Sequence, residues 1–293
     1  MHIVVCIKQT PDSSSVYIDP ITGQVDYERF VQILNPADAC AVEAAVRLKE
    51  QSGGSVTAIT LGPQDAEGAL RAALAIGAGA ALRLWNTQAS DWGPFTVAAA
   101  LAACIQKEEL EVDLVLCGDT SSDWSSGIVG PALAEKLHLP QITGVMQLHV
   151  TSEQGQNTVK LQVTRRLERG YREVLEAQPP LLLTVTSDLN EPRYPSLPAH
   201  LAALQATIPL IDPLPLIGNA YEAEPDETTL LEIHTPRPRP RRIAAPDSHH
   251  SAFERIGEII AGGAAGRKTS LVEGSPEELA RRLVEFLSER GFL

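Results

Sequence analysis

The sequence predicts a doubly wound α/β fold, in which a mostly parallel sheet is followed by an antiparallel excursion and an extended C-terminal arm. In the first half of the chain, short apolar runs rich in β-branched residues alternate with Ala-rich stretches of helical spacing. Continuous apolar strands separated by helices are typical of a parallel sheet that is covered on both faces. This alternation stops after residue 140, and prolines recur without periodicity from 207 to 247.

The elements of the first half follow from these patterns. The apolar runs predict strands at residues 2–7, 55–61, 80–84 and 113–117. The Ala-rich stretches between them predict helices at residues 36–51, 64–76 and 93–107. Because Pro36 follows Asn35, we expect Asn35 to cap the first helix and Pro36 to occupy its first turn. This order of elements predicts a Rossmann-like sheet.

The second half is predicted to contain strands, a linker and one terminal helix. Strand-like runs occur at residues 142–150, 157–166, 171–176 and 180–186. Ser275 and Glu278 form a capping box with Pro276 at the first helical position, which predicts a helix to about residue 290. Its apolar stripe, which we expect to dock on a partner, consists of Leu279, Leu283 and Phe286. The predicted domains are therefore residues 1–206 and a C-terminal arm at 207–293.

Charge and cysteine spacing argue against several classes of protein. The formal net charge of −13 argues against a nucleic-acid-binding protein, because such proteins usually carry a basic face. The basic cluster Arg237, Arg239, Arg241 and Arg242 alternates with prolines, which is typical of a stiff, solvated linker. No C-x-x-C pair and no His at metal-ligand spacing accompany Cys6, Cys40, Cys104 and Cys117. We therefore expect structural thiols and no metal site.

The hydropathy pattern predicts a soluble, cytoplasmic protein without membrane insertion. No segment reaches the roughly 18 consecutive apolar residues that a membrane helix needs. The first six residues lack a charged region and a cleavage site, so we interpret them as a strand and not as a signal peptide.

Three loops are expected to converge on a ligand site, because ligands of open parallel sheets bind at the carboxyl ends of the strands. One contains Cys6 and Lys8, with Asn35 opposite, and another begins at Leu61. The third, residues 117–130, is small, polar and glycine-bearing, and it leads into a helix near Gly130. Its backbone N–H groups could hold a phosphate. An ordinary turn rich in helix-capping residues is the alternative interpretation.

Several catalytic schemes find no support in the sequence. The G-x-G-x-x-G fingerprint after the first strand, the P-loop and the G-x-S-x-G elbow are all absent. A nucleotide-hydrolysing enzyme on a similar fold remains an alternative, but it would need a phosphate-activating lysine motif or a cluster of metal-binding carboxylates.

Several motifs resemble those of electron transfer flavoprotein β subunits. Segment 185–198, Val-Thr-Ser-Asp-Leu-Asn-Glu-Pro-Arg-Tyr-Pro-Ser-Leu-Pro, resembles one signature of that family. Segment 163–174, Val-Thr-Arg-Arg-Leu-Glu-Arg-Gly-Tyr-Arg-Glu-Val, resembles the other, with Arg169 where an acidic residue or glycine is usual. The stretches 7–12, 34–38, 41–50 and 68–78 match as well, so the resemblance covers roughly residues 1–210.

The resemblance implies an electron-carrier subunit that is not an enzyme by itself. Its partner would be an α subunit carrying FAD, and the pair would pass electrons from dehydrogenases to a quinone-linked oxidoreductase. The β site would hold AMP, or a second FAD in an electron-bifurcating relative that oxidises NADH. The resemblance places this site at Cys6, Lys8, Asn35, Leu61, Asp123, Trp124, Ser126, Gly127, Ile128 and Val129. Leu197 falls at the family's partner-anchoring position, with Tyr194 nearby.

Two departures from the family pattern refine these expectations. The nucleotide loop of bifurcating members usually reads Asp-Gly-Asp-Thr-Ala-Gln-Val-Gly, whereas residues 123–130 here read Asp-Trp-Ser-Ser-Gly-Ile-Val-Gly. AMP is therefore favoured over FAD, and an altered or empty site is the remaining alternative. The helix after Leu197 lacks the usual lysine run, so its dehydrogenase partners are expected to differ from the familiar acyl-CoA dehydrogenases. We also expect an arm formed by the inserted segment 249–268 and the terminal helix to wrap the α subunit.

Overall fold

The computed structural model describes residues 1–15, 17, 30–107, 112–151, 159–218, 250–260 and 274–289. The chain divides into two compact units, Met1–Thr235 and Pro236–Leu293. The basic cluster Arg237–Arg242, most of the expected linker and the glycine-rich segment 262–266 lie outside the described residues.

Most described strands of the first unit join one nine-stranded sheet. The strands are β1 His2–Cys6, β2 Gln9–Pro11, β3 Gln32–Leu34, β4 Ser55–Leu61, β5 Ala80–Leu84, β6 Leu114–Gly118, β7 Gln141–Val150, β8 Leu161–Arg166, β9 Arg172–Ala177, β10 Leu181–Val185 and β11 Leu210–Ile211. The sheet order is β11-β5-β4-β1-β6-β10-β7-β8-β9, while β2 and β3 form a separate antiparallel pair. Pairing is parallel from β11 to β7 and antiparallel from β7 to β9. The predicted fold class is confirmed.

Helices cover both faces of this sheet. They are α1 Pro36–Ser52, α2 Glu67–Ile76, α3 Pro94–Lys107, α4 Val129–Leu137, α5 Leu197–Gln205 and α6 Leu214–Ile217. Along β1, Ile3 and Val5 enter the apolar cluster that contains α1 and α2 residues. Val4 and Cys6 enter the opposite cluster with α3 and α4. A strand buried on both faces explains why the sequence of β1 is a continuous apolar run.

Of the two predicted helix caps, one forms its side-chain hydrogen bonds and the other does not. Ser275 and Glu278 form the predicted capping box at the start of α8 (Pro276–Glu289), the helix after α7 (Ala252–Ile260), since the side chain of each accepts a hydrogen bond from the backbone N–H of the other. Asn35 occupies the predicted N-cap position of α1 and Pro36 its first turn, but the Asn35 side chain makes no capping hydrogen bond. Its amide instead bridges to the 117–130 loop.

The segment after residue 206 begins on the sheet. The backbone N–H of Arg83 donates to the Pro209 carbonyl at 3.0 Å, and β11 lies parallel to β5. Ile217 of α6 is buried against α3. The first residues of the expected arm therefore belong to the first unit and pack on its sheet. Their role in partner docking stays a prediction.

A buried carboxylate fixes the segment that leads to α5. The Glu43 side chain, on α1, is 1% exposed and pairs with Arg193 at 2.9 Å and with Arg47. Burial raises the pKa of Glu43, but the hydrogen bonds from the two arginines outweigh it and hold the pKa below its usual value. Arg193 also pairs with Glu50 at 2.6 Å. These contacts tie the chain just before Tyr194 to α1.

Candidate functional site

The order of the central strands reverses between β1 and β6, which is where open α/β sheets form a crevice at the carboxyl ends of their strands. The chain runs from β1 outward to β4 and β5, and then returns to β6 on the other side of β1. Such a reversal separates the loops that follow the two strands, and ligands of open α/β sheets bind there. The loops after Cys6, Leu61 and Gly118 therefore leave three neighbouring parallel strands at one edge.

Asp38, in the first turn of α1, joins two of these loops. Its Oδ2 accepts a hydrogen bond from the Lys8 backbone N–H at 2.8 Å, and its Oδ1 accepts one from the Gly118 N–H at 2.7 Å. A Cβ at Gly118 would lie 2.6 Å from Oδ1, so this approach requires glycine. Burial raises the pKa of Asp38 to about 7, against the lowering effect of these hydrogen bonds.

Asn35 and Thr10 hold the third loop from the other side. Asn35 Nδ2 donates to the Thr120 carbonyl at 3.0 Å, and Asn35 Oδ1 accepts from the Ser122 N–H at 3.1 Å. The Ser122 hydroxyl donates to Thr10 Oγ1 at 2.9 Å. Both Asn35 and Thr10 are buried. These contacts fix the beginning of the 117–130 loop, whereas the residues that directly follow in the loop are exposed.

A cation and an aromatic ring lie at the rim of the crevice. Lys8 Nζ pairs with Asp123 Oδ2 at 2.6 Å. Partial burial raises the pKa of Asp123, but the hydrogen bonds from Lys8, Ser121 and the Trp124 backbone, together with the charge of Lys8, outweigh it and keep the pKa below its usual value. The backbone N–H of Trp124 donates to Asp123 Oδ1 at 2.8 Å, and the Trp124 residue is 76% exposed. An ammonium group can bind phosphate, and an exposed indole can stack on a base.

The end of the loop turns sharply into α4. Ser125 and Gly127 both have positive φ, 51° and 64°. Ile128 provides no side-chain cap to α4, so the first N–H groups of this helix receive no hydrogen bond from it. A Cβ at Gly130 would lie 2.6 Å from Thr184 Cγ2 and 2.9 Å from Cys117 Sγ, so α4 packs directly on the sheet.

The predicted site residues lie at one edge of the sheet, some in the hydrogen-bonded network, some buried beneath it and some in the exposed loop. Lys8, Asn35 and Asp123 belong to the hydrogen-bonded network. Cys6 is buried beneath it in register with Cys117, and burial raises the pKa of its thiol far above the usual range. Leu61 packs at the margin of the same apolar cluster as Cys6. The remaining predicted residues form the exposed loop and its entry into α4: Trp124, Ser126, Gly127, Ile128 and Val129.

The two predicted partner-contact residues lie on an apolar surface. Tyr194 is 97% exposed, and Leu197 is 70% exposed at the start of α5. Leu201 and Leu204 follow at helical spacing and are half exposed. Ser196 caps this helix by accepting from the Ala199 N–H at 3.3 Å. A partner could bury this side of α5.

Sequence reasoning missed four residues that organise the crevice: Thr10, Asp38, Gly118 and Ser122. Asp38 lies in a recognised motif, but an acidic residue in a first helical turn ordinarily indicates only a favourable helix dipole. The glycine immediately after a predicted strand end was the available signal for a close approach at Gly118.

Two further structural findings concern metal binding and membrane spanning. Within the described ranges, no group of three His, Cys, Asp or Glu side chains is arranged to hold a metal ion. Among the helices that the structure describes, none is long and apolar enough to cross a membrane.

Known proteins resemble this chain over most of its length. A family model described as an electron transfer flavoprotein domain matches residues 23–215. The electron transfer flavoprotein subunit beta of Thermoanaerobacterium thermosaccharolyticum is 37% identical over 273 residues, which is 93% of this chain and 97% of the relative. Protein FixA of Azotobacter vinelandii is 33% identical over 88% of this chain and 92% of its own. The caffeyl-CoA reductase-Etf complex subunit CarD of Acetobacterium woodii is 39% identical over 71% and 77%, respectively.

Proposed function

This chain belongs to the electron transfer flavoprotein β-subunit family, and from this premise we propose that it binds AMP in the crevice between β1 and β6. With an α subunit that carries FAD, it would shuttle electrons from dehydrogenases to a quinone-linked acceptor. The flavin supplies the redox chemistry when it is bound. The residues of this chain hold the nucleotide and present a surface to partners.

The observation that carries the nucleotide proposal is the network at the crevice. Asp38 joins the backbone of Lys8 to that of Gly118, while Lys8 also reaches Asp123 across the crevice. These contacts place one ammonium group near a loop that ends in an uncapped helix start. A monophosphate fits this chemistry, because both the cation and the helical N–H groups attract an anion.

The side chains of the loop support AMP over a second FAD. Trp124 is bulky where the loop of bifurcating members has glycine, and Ile128 is apolar where that loop has glutamine. The exposed Trp124 ring offers a stacking surface for an adenine base. A short nucleotide needs one phosphate contact and one base contact, which Lys8 and Trp124 provide.

One observation favours a second candidate, an electron-bifurcating subunit with its own FAD. A relative that is 39% identical is named as a subunit of a caffeyl-CoA reductase-Etf complex. In that case the β flavin would accept hydride from NADH, and the loop at 123–130 would have to accommodate the isoalloxazine ring and a pyrophosphate.

Nucleotide content tests the proposal. We would co-express this chain with its α partner, denature the purified heterodimer and quantify FAD and AMP by chromatography. We expect one FAD and one AMP per heterodimer. Two FAD and no AMP would overturn the AMP assignment in favour of the bifurcating subunit.

A pair of lysine variants locates the nucleotide. Lys8→Met removes the ammonium group at the crevice and should lower the AMP content of the heterodimer. Lys49→Met removes a lysine at the far end of α1, where Nζ donates to the Gly77 carbonyl at 3.3 Å. This control should retain AMP, and equal loss in both variants would place the nucleotide elsewhere.

A further inference from the structure

Helix α5 packs on α2, but most of its own side chains are exposed. It is nine residues long, and Ala203 is its buried residue. A helix of this length is marginally stable without tertiary contacts. Its last turn carries no basic residue to balance the negative end of the helix dipole. The C-terminal end of α5 therefore calls for a positively charged group from another element.

Arg71, on α2, supplies that group. Its Nη1 donates to the carbonyls of Ala203, Leu204 and Ala206, at 2.7, 2.8 and 3.1 Å. Carbonyls at the end of a helix lack intrahelical partners, and a guanidinium satisfies them while its charge complements the dipole. Arg71 thus fixes the end of α5 that is opposite Leu197.

Two further residues connect Arg71 to the loop after β4. Arg71 Nη2 donates to Glu67 Oε2 at 3.2 Å, and Arg83 Nε donates to Glu67 Oε1 at 3.1 Å. Arg83 Nη1 then donates to the Gly62 carbonyl at 3.4 Å. The Arg83 side chain is 9% exposed, so its charge depends on Glu67 for compensation. Two ion pairs, with hydrogen bonds to backbone carbonyls at both ends, thus join Gly62 to α5.

We propose that Arg83, Glu67 and Arg71 form a positioning chain that couples the 61–63 loop to the orientation of α5. The coupling rests on the proposed function, which takes this loop as part of the nucleotide site and α5 as a docking surface. A nucleotide bound against the loop restricts the motion of the Gly62 carbonyl. Through the ion pairs, this also restricts the motion of the end of α5. Since coupling is reciprocal, a partner on α5 strengthens nucleotide binding by the same factor.

Amide hydrogen exchange of residues 201–206 in the heterodimer tests this proposal, with and without added AMP. In the wild type, AMP should slow exchange in this segment. Arg71→Met should speed exchange about tenfold, which corresponds to the loss of hydrogen bonds from a charged donor, and should abolish the response to AMP. Arg71→Lys keeps the charge but reaches fewer carbonyls, so it should restore part of the protection.

Glu67→Gln separates positioning from coupling. Glutamine replaces one carboxylate oxygen by an NH2 donor and removes the charge, so one of the two arginines loses its acceptor. Arg71 stays on the carbonyls of α5, and most of the protection without AMP should remain. The response to AMP should be lost. A Glu67→Gln heterodimer that responds to AMP like the wild type would overturn the coupling.

Arg165→Met provides the matched control, because Arg165 pairs with Glu173 on the β8–β9 hairpin at 2.6 Å. It should leave exchange at 201–206 unchanged, and the thermal midpoint of every variant shows whether it is folded. Wild-type exchange in Arg71→Met would overturn the positioning role. A wild-type heterodimer that takes up no AMP in dialysis would contradict both the nucleotide site and the coupling. In that case, faster exchange in Arg71→Met would still support the positioning role of Arg71.

Discussion

Backbone N–H groups from two different loops meet on the carboxylate of Asp38. The two contacts are 2.8 Å to Lys8 and 2.7 Å to Gly118, and the residue is 5% exposed. Water cannot easily replace a buried acceptor, so the loss of this carboxylate would leave both N–H groups unsatisfied. Asp38 therefore sets the distance between the loop that carries Lys8 and the loop that carries Asp123.

Asp38 should give the protein a measurable pH dependence. Burial raises its pKa from the usual 3.8 to about 7. Between these values the native protein binds a proton that the unfolded chain has released. The free energy of unfolding should therefore increase as the pH falls from 8 to 5, by up to about 1.4 kcal/mol per unit below 7. This contribution is lost again as the pH rises through 7. Urea unfolding of the wild type and Asp38→Asn across this range measures it.

Asp123→Asn is the control for this experiment. The pKa of Asp123 is lowered, so its contribution to stability is present above the usual carboxyl pKa and is lost only in more acidic solution. Between pH 5 and 8 the difference between the wild type and Asp123→Asn should stay constant. The Asp38 prediction fails if Asp38→Asn shows the same constant difference.

At the scale of single residues, the sequence located the crevice but not its central contact. Lys8, Asn35 and Asp123 could be assigned to converging loops because the ends of parallel strands share one edge. Whether a first-turn carboxylate such as Asp38 faces solvent or the sheet depends on the rotation of its helix. That rotation is set by packing against β1 and β6, which local sequence does not report.

At the scale of elements, the strands of five or more residues were predictable, and those of two or three residues were not. The helix at 36–51 and the strand at 55–61 agree with α1 and β4 within one residue. The two-residue strand β11 has no periodicity to detect, and its neighbours Pro209 and Pro213 suggested an irregular arm. Asn35 shows the same limit, because an amide before a helix can cap it or bridge to a distant loop.

The packing of helices on the sheet predicts opposite effects for the same substitution at two glycines. Gly130→Ala would place a methyl group 2.6 Å from Thr184 Cγ2 and should destabilise the protein by about 1–3 kcal/mol. Gly68→Ala, inside α2, meets Gln9 Nε2 at 3.4 Å and should stabilise it by about 0.5–1 kcal/mol. The urea midpoints of both variants measure these effects. Shifts of equal sign would contradict the close contact between α4 and the sheet.

At the scale of the whole molecule, apolar side chains remain exposed in both units. Leu197 and Leu201 form part of one such surface on α5. In the second unit, helix α7 (Ala252–Ile260) exposes Phe253 at 87% and Ile256 at 55%. Leu283 and Val284 of α8 are also more than half exposed. Apolar residues on amphipathic helices are usually buried in an assembly, so each unit offers a surface to a partner.

The second unit should be required for pairing with the α subunit. Deleting residues 247–293 removes α7 and α8 and should abolish co-purification, because their apolar faces would supply the buried contact. Phe253→Ser combined with Leu283→Ser should weaken pairing in the full chain, whereas Arg255→Ser combined with Arg282→Ser, on the same helices, should leave it near the wild-type level. Pull-down of a tagged α subunit measures pairing for all three variants. Circular dichroism checks that the truncated chain keeps its α/β fold. Intact pairing of a folded deletion variant would show that the first unit alone holds the α subunit.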